Sequence, residues 1–280
     1  MRLNTSWPLN SEKLSLAYDS SDTVIDSLDL TIESQKVTVL VGGNGCGKST
    51  LLKSFARLLK PISGLIFLEG QNINQLPGKG VARKMAILPQ GPVAPEGLTV
   101  EQLVKQGRYP HQNWLQNWSK EDEYYVRKAL IDTNMTAYSD RPIEVLSGGQ
   151  RQRAWIAMAL AQNTEILLLD EPTTYLDLTY QIEILDLLFE LNREQKVTIV
   201  MVLHDLNLAC RYADQLIALK DGGVYCQGAP EKVLNAGMVE AVFGMRCHIA
   251  KDPLFGTPMC VPHGKGRVIV DEQAEQNHTA

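Results

Sequence analysis

The stretch Gly42-Gly43-Asn44-Gly45-Cys46-Gly47-Lys48-Ser49-Thr50 decides how this chain folds, because it matches the pattern GxxxxGK[ST] of phosphate-binding loops. An apolar, β-branched run over 37–41 precedes it, and apolar residues at helical spacing follow it over 51–59. The order strand, glycine-rich loop and helix places backbone N–H groups and a helix N-terminus around an anion. These residues therefore predict an α/β fold that holds the phosphates of a nucleotide.

The side chains of this loop have separate predicted tasks. We expect Lys48 to reach the β- and γ-phosphates and the Ser49 hydroxyl to ligate Mg²⁺. A dinucleotide-binding GxGxxG loop is disfavoured, since Lys48 stands where that pattern needs its last glycine. The predicted nucleotide contacts of the loop are Gly42, Asn44, Gly45, Cys46, Gly47, Lys48, Ser49 and Thr50.

An acidic pair forms the second candidate element. The apolar run 166–169 reads as a buried strand and ends in Asp170 and Glu171. Because ligands of α/β proteins bind at the carboxyl ends of the strands, we expect this pair to lie near the loop. Asp170 is then placed to hold Mg²⁺ through water, and Glu171 to polarise an attacking water molecule.

Composition narrows the class of protein. The 280 residues predict one large domain or two small ones. The net charge, 27 − 32 = −5, argues against a nucleic-acid partner. The longest apolar run, over 154–161, is far below the roughly 18 residues of a membrane span. Five cysteines without a CxxC pair favour a reducing, cytosolic location.

The segment Leu146-Ser147-Gly148-Gly149-Gln150 resembles the signature of ABC-type ATPases, and further motifs of that family follow in its order along nearly the whole chain. Gln90 resembles the Q-loop glutamine, and His204 resembles the switch histidine. Asp177 resembles the D-loop aspartate, although it could also simply cap the next helix. Tyr18 resembles the aromatic residue that stacks on adenine.

The resemblance implies a P-loop NTPase fold of the ABC type, with a RecA-like core, an N-terminal antiparallel β portion and an inserted helical subdomain. It divides a single domain into an α/β core (1–90 and 161–228), a helical signature subdomain (91–160) and a C-terminal extension (229–270). We expect the tail, 271–280, to be disordered, because it is polar. The family commonly has proline where this chain has Gly43, and we expect activity to survive that departure.

The resemblance also implies the cofactors ATP and Mg²⁺ and an assignment of roles. Glu171, His204 and Gln90 are the expected catalytic residues, and the expected Mg²⁺ ligands are Ser49, Gln90 and Asp170. In this family the signature contacts the γ-phosphate of ATP held by a second subunit, so we expect a homodimer whose signature residues act in trans: Ser147, Gly148, Gly149 and Gln150. Cys46 lies beside a helix N-terminus, so we expect alkylation to inhibit and ATP to protect.

Segments 107–111, 152–158, 172–178 and 252–258 resemble ATPases of ferric-siderophore importers. This implies a peripheral subunit on the cytoplasmic face of a bacterial inner membrane. Its partners would be permease subunits, docked near 90–109, and indirectly a periplasmic or surface siderophore-binding protein. Haem and cobalamin importers use close relatives and stay open as alternatives, as does a non-transport ABC ATPase.

Two other kinds of site are disfavoured. A zinc site drawn from Cys247, His248, Cys260 and His263 has fitting residue types, but adjacent Cys247 and His248 suit one ion poorly. A GTPase is disfavoured because the sequence has no NKxD motif.

Overall fold

The computed structural model describes residues 7–18, 22–112 and 118–265. Its strands are β1 (Leu9–Ala17), β2 (Thr23–Ile32), β3 (Val37–Gly42), β4 (Ser63–Leu68), β5 (Gln71–Asn72), β6 (Met85–Leu88), β7 (Ile166–Leu169), β8 (Thr198–Val202), β9 (Gln215–Lys220), β10 (Gly223–Gly228), β11 (Cys247–Lys251) and β12 (Pro258–Pro262). Its α-helices are α1 (Lys48–Phe55), α2 (Gly78–Ala82), α3 (Val100–Gln106), α4 (Lys120–Asp132), α5 (Gly148–Ala161), α6 (Leu178–Gln195), α7 (Leu206–Tyr212), α8 (Pro230–Val233) and α9 (Ala236–Phe243).

The central sheet has the strand order β10-β9-β3-β8-β7-β6, and all neighbours are parallel except β10 and β9. Its middle strands are continuous apolar runs because both faces are covered. Leu40 pairs with Val202, and Leu169 pairs with Met201 and Leu88. The carboxyl ends of β3, β6, β7 and β8 therefore meet at one edge, where the predicted site residues follow them.

An antiparallel sheet of order β2-β1-β4-β5 covers one face of the central sheet. Its apolar side chains and those of α1 share a core with alternate residues of β3 and β7, among them Leu40 and Leu168. The opposite residues of the same strands, such as Val39 and Leu167, face a second core. The predicted α/β class and the N-terminal antiparallel portion are both confirmed.

Helices α3, α4 and α5 lie between β6 and β7 in the chain and pack together. Each begins with a capping box, at Thr99, Ser119 and Ser147. Arg108 is only 1% exposed and donates to Asp122 at 2.8 Å. Burial would raise the pKa of Asp122, but hydrogen bonds from Ser119 and Arg108 hold that pKa below its usual value. The predicted helical insert is confirmed as part of the fold.

Two regions differ from the sequence pattern. The apolar spacing continues to Leu59, but α1 ends at Phe55 because Arg57 takes a left-handed conformation and the Leu58 N–H turns back to the Lys53 carbonyl. Beyond residue 228, where sequence signals are weak, α8, α9 and a β11–β12 hairpin follow. Within the described part of the chain, no helix is long and apolar enough to cross a membrane. The tail 271–280 lies outside the described residues.

Candidate nucleotide-binding site

The phosphate-binding loop connects β3 to α1, and its first residue has to be glycine. Gly42 has a φ of 152°, and a Cβ there would lie 2.4 Å from the carbonyl oxygen of Leu219 on the neighbouring strand. A side chain would therefore displace the loop or β9. Gly43 differs, because an added Cβ would lie 3.5 Å from the Val242 carbonyl oxygen, an ordinary contact distance. The space around residue 43 does not itself require glycine.

Lys48 begins α1 and reaches back across the loop. Its Nζ donates to the carbonyl oxygens of Gly42 and Gly43, both at 2.9 Å, and lies 3.7 Å from Cys46 Sγ. These acceptors satisfy a charge that is otherwise buried. Cys46 is buried too, which restricts the access of alkylating reagents. Its protection by ATP stays a prediction.

Ser49 and Asp170 join α1 to the end of β7. Ser49 Oγ donates to Asp170 Oδ1 at 2.7 Å, and Asp170 is 3% exposed. Burial raises the pKa of this carboxyl, with a smaller contribution from the neighbouring Glu171 charge, against the Ser49 hydrogen bond. A hydroxyl and a carboxylate in contact are hard oxygen donors of the kind that Mg²⁺ prefers. The donor set therefore fits the predicted Mg²⁺.

Glu171 is held from three directions. His204 Nε2 lies 2.6 Å from Glu171 Oε1, while Gln90 Nε2 and Thr174 Oγ1 donate to Oε2 at 2.6 and 2.8 Å. The glutamate backbone has a φ of 53°, the left-handed region that a non-glycine residue occupies only when its surroundings fix it. The role of Thr174 was not predicted from the sequence. The one feature that could have indicated it is a hydroxyl side chain three residues after Glu171.

A cavity of about 260 Å³ lies over the phosphate loop. Its lining residues are Tyr18, Val24, Asn44, Gly45, Gly47, Lys48, Ser49, Thr50, Glu171 and His204. Tyr18 is 57% exposed, and its hydroxyl lies 3.3 Å from Thr50 Oγ1. The structure thus brings the loop, the predicted base, the histidine and the predicted adenine-stacking residue to one surface.

The signature and Asp177 lie elsewhere. The Ser147 side chain accepts from the Gln150 N–H at 3.3 Å, and Gln150 Oε1 accepts from the Ser147 N–H at 3.2 Å. A Cβ on Gly149 would lie 2.6 Å from the Tyr180 ring, so a larger residue does not fit. Asp177 caps α6, as the alternative interpretation expected. Among the described residues that line the cavity, none belongs to the signature.

The four residues of the disfavoured zinc site do not converge. Cys247 and Cys260 are buried between the hairpin and the core, whereas His248 and His263 are exposed. The residues that the structure describes contain no group of three or more His, Cys, Asp or Glu able to hold a metal ion.

The geometry at this strand edge is that of a P-loop nucleotide hydrolase. Residues 25–174 match the family model described as ABC transporter, and the chain belongs to that family. It is therefore an ATPase whose domain binds ATP, as the sequence predicted.

Individual relatives are similar over nearly the whole chain. A petrobactin import ATP-binding protein of Bacillus anthracis is 60% identical over 95% of this chain and 97% of its own length. The ferric enterobactin transport ATP-binding protein of Escherichia coli (strain K12) is 49% identical over 92% of this chain and 94% of its own. A dimeric ATP-binding cassette solved in a post-hydrolysis state with ADP and phosphate superimposes with a TM-score of 0.69 at 28% identity, covering 79% of this chain and 98% of that chain.

Proposed function

We propose that this chain is the ATP-hydrolysing subunit that powers import of a ferric siderophore through a separate membrane permease. The relatives named for petrobactin import and ferric enterobactin transport support this cargo class, because the similarity covers 95% and 92% of this chain. The observation that carries the ATPase mechanism is Glu171, tethered to Gln90 and His204 at the edge of the phosphate-loop cavity.

In this proposal Lys48, Ser49 and the loop amides bind the triphosphate, and Tyr18 supports the adenine. Ser49, Asp170 and Gln90 would hold Mg²⁺, which when bound neutralises phosphate charge. Glu171 accepts a proton from the attacking water, and His204 and Gln90 fix its carboxylate for that step. The close contacts of all three residues support these roles.

We further propose that two copies of the chain complete each site. The cavity of about 260 Å³ is smaller than the roughly 300–1,000 Å³ of ordinary ligand pockets. The N-terminus of α5 offers the Gly148 and Gly149 N–H groups, which have no partner within the helix. A second subunit that brings its own Ser147, Gly148, Gly149 and Gln150 to the γ-phosphate would close the open side.

The permease would dock in the groove between the core and the helical insert. A cavity of about 490 Å³ lies there, with α2 and β6 on one side and Gln106, Tyr109 and Gln162 on the other. In this proposal the chain is one domain, with its core at 1–90 and 161–228. It works peripherally at the cytoplasmic face of a bacterial inner membrane and receives cargo through a siderophore-binding protein.

The test is transport by the assembled complex. The chain is copurified with its permease, placed in vesicles and supplied with ATP and labelled ferric siderophores, with haem and cobalamin in parallel. We expect ATP-driven uptake of a siderophore and none of it with Glu171→Gln. Uptake of haem or cobalamin alone would replace the proposed cargo. Failure of an ATP-hydrolysing chain to copurify with any permease would favour a non-transport ATPase.

A further inference from the structure

The β11–β12 hairpin lies against α7, the helix that begins two residues after His204. The side-chain amide of Asn207 joins them. Asn207 Nδ2 donates to the Cys260 carbonyl at 3.2 Å, and the Cys260 N–H donates to Asn207 Oδ1 at 2.7 Å. This side chain therefore bonds both backbone groups of one residue of β12, as a neighbouring strand would do.

A second contact holds the other end of α7. The Arg211 guanidinium donates to Asp252 Oδ2 at 2.7 and 3.2 Å, and Asp252 is 4% exposed. The hydrogen bond from Arg211 lowers the pKa of Asp252, with further contributions from the N–H groups of Leu254 and Phe255. The Phe255 ring lies 4.4 Å from the centre of the guanidinium. The hairpin and its turn therefore bond to α7 at two residues, Asn207 and Arg211, which lie one helical turn apart.

His204 depends on the backbone around it for its placement. Its side chain is 48% exposed and meets Glu171 through Nε2. The next residue, Asp205, caps α7 by accepting the N–H groups of Asn207 and Leu208 at 2.8 and 2.9 Å. Asn207 therefore donates its main-chain N–H to Asp205, the residue after His204, and bonds to the hairpin through its side chain.

Helix α7 is too short to hold its conformation alone and depends on its neighbours, which are the core and the hairpin. Helix α7 spans 206–212, and helices shorter than about 12 residues hold their conformation in water only through tertiary packing. A small misplacement of a group that contacts the reacting atoms costs up to about 100-fold in rate. A change in the direction of α7 would reach His204 through Asp205.

We propose that Asn207 is a positioning residue through which the C-terminal hairpin sets the place of the switch histidine beside Glu171. This rests on the role proposed above for His204. It gives the extension beyond residue 228 a part in hydrolysis, and it predicts that Asn207 acts on turnover through His204 and leaves nucleotide binding to the phosphate loop.

A double-mutant cycle tests the role of Asn207 in the permease complex, using steady-state ATP hydrolysis and thermal unfolding. We expect Asn207→Ala to lower kcat about tenfold, with KM for ATP changed less than about twofold. In the His204→Ala background, Asn207→Ala should lower the rate no further, because its effect passes through the missing imidazole. Asn207→Ala should lower Tm by the same amount in the parent and in the His204→Ala protein.

Two further variants keep the result interpretable if Asn207→Ala folds poorly. Asn207→Gln retains both the amide donor and the amide acceptor on a side chain one methylene longer, so we expect an intermediate rate. Asn235→Ala is the matched control: it removes an asparagine that caps α9 through the Met238 N–H, and kcat should stay at the parent value.

The outcomes separate the two proposals. If Asn207→Ala leaves kcat unchanged, or if its effect multiplies with that of a slow His204→Ala, the positioning role is wrong while the role of His204 stands. If His204→Ala retains the parent rate, the role of the histidine fails first and the positioning proposal falls with it.

Discussion

Motif residues of one reaction lie in two regions, the carboxyl ends of the central strands and the N-terminus of α5. The hydrogen bonds of these two regions differ. At these strand ends, residues from three separate segments bond to one another through the contacts of Glu171 with Gln90, Thr174 and His204. At the start of α5, the side chains of Ser147 and Gln150 accept only each other's backbone N–H groups among the contacts described. The first region is assembled within one chain, whereas the second is folded but separate from the cavity.

This difference indicates where a second subunit is needed. A substitution in a reaction centre that one chain assembles should inactivate the nucleotide site of that same chain. A substitution in a surface that acts on the nucleotide of a neighbouring chain should inactivate the neighbour's site. The variants below test the comparison in decreasing order of expected effect.

The largest effect is expected from Glu171→Gln. The change removes the proton acceptor but keeps an oxygen that can bond to Gln90, so turnover should fall by about 10²–10⁴-fold while ATP still binds. Steady-state hydrolysis and nucleotide-binding titrations on the purified complex measure the two properties. Hydrolysis at the parent rate would show that another group accepts the proton.

Ser147→Asp tests the separate region. Aspartate caps a helix as well as serine does, so stability should be kept, but its charge would repel a γ-phosphate. We expect turnover to fall about 100-fold, since a charge–charge repulsion in a closed site exceeds 2 kcal/mol. Ser147→Asn, which caps without charge, is the matched control and should lose much less turnover than Ser147→Asp.

Mixing that variant with Lys48→Ala decides between action in cis and in trans. Each protein alone should be inactive, but a mixed dimer has one site with an intact loop and an intact signature. Random pairing of equal amounts should restore roughly a quarter of the parent sites. An ATPase assay that finds no recovery in the mixture, with mixed dimers verified by tagged copurification, would show that one chain supplies both motifs of its own site.

The two regions differ in how much of their structure the sequence predicts. The phosphate loop, Asp170 and His204 follow apolar strands, and the sheet order brings strand ends together whatever the helices do, so their proximity was predictable. The tethering of Glu171 by Thr174 depends on a left-handed backbone at 171, which no pattern of side chains encodes. The hairpin contacts of Asn207 lie 53 residues apart in the chain and have no local periodic signal.

Tyr18→Ala addresses the nucleotide surface at the edge of the core. Base–aromatic stacking contributes about 1–3 kcal/mol, so we expect KM for ATP to rise about tenfold with kcat nearly unchanged. Tyr18→Phe keeps the ring and loses only the 3.3 Å contact of the hydroxyl with Thr50 Oγ1, so KM should stay within about twofold. If the parent, Tyr18→Ala and Tyr18→Phe have equal KM values in the hydrolysis assay, Tyr18 does not contribute to ATP binding.

Thr174→Val should have a smaller effect on the strand edge. It deletes one of the two donors to Glu171 Oε2 while Gln90 remains, and a single hydrogen bond is worth about 1 kcal/mol, so kcat should fall about fivefold. Thr174→Ser keeps the hydroxyl and should recover the parent rate. A loss that serine does not restore would assign the effect to the methyl group rather than to the hydrogen bond.

The smallest effect is one on stability and is set by pH. Burial raises the pKa of Asp170 in the folded state, so the folded protein binds this proton more tightly than the unfolded chain does. The stability contributed by the proton is present below the unfolded pKa of about 3.9 and is lost as pH rises through the folded value. Asp170→Asn keeps an oxygen for Ser49 without a charge, so above that window it should raise Tm by about 2–4 °C for each kcal/mol of relieved desolvation.

Thermal unfolding of the parent and of Asp170→Asn without Mg²⁺, at acidic and at neutral pH, measures this effect. A Tm difference between the two proteins that is the same at both pH values would contradict it. Because the gain comes from removing the carboxylate that Mg²⁺ needs, the same variant should lose the stabilisation that Mg²⁺ and ATP give the parent.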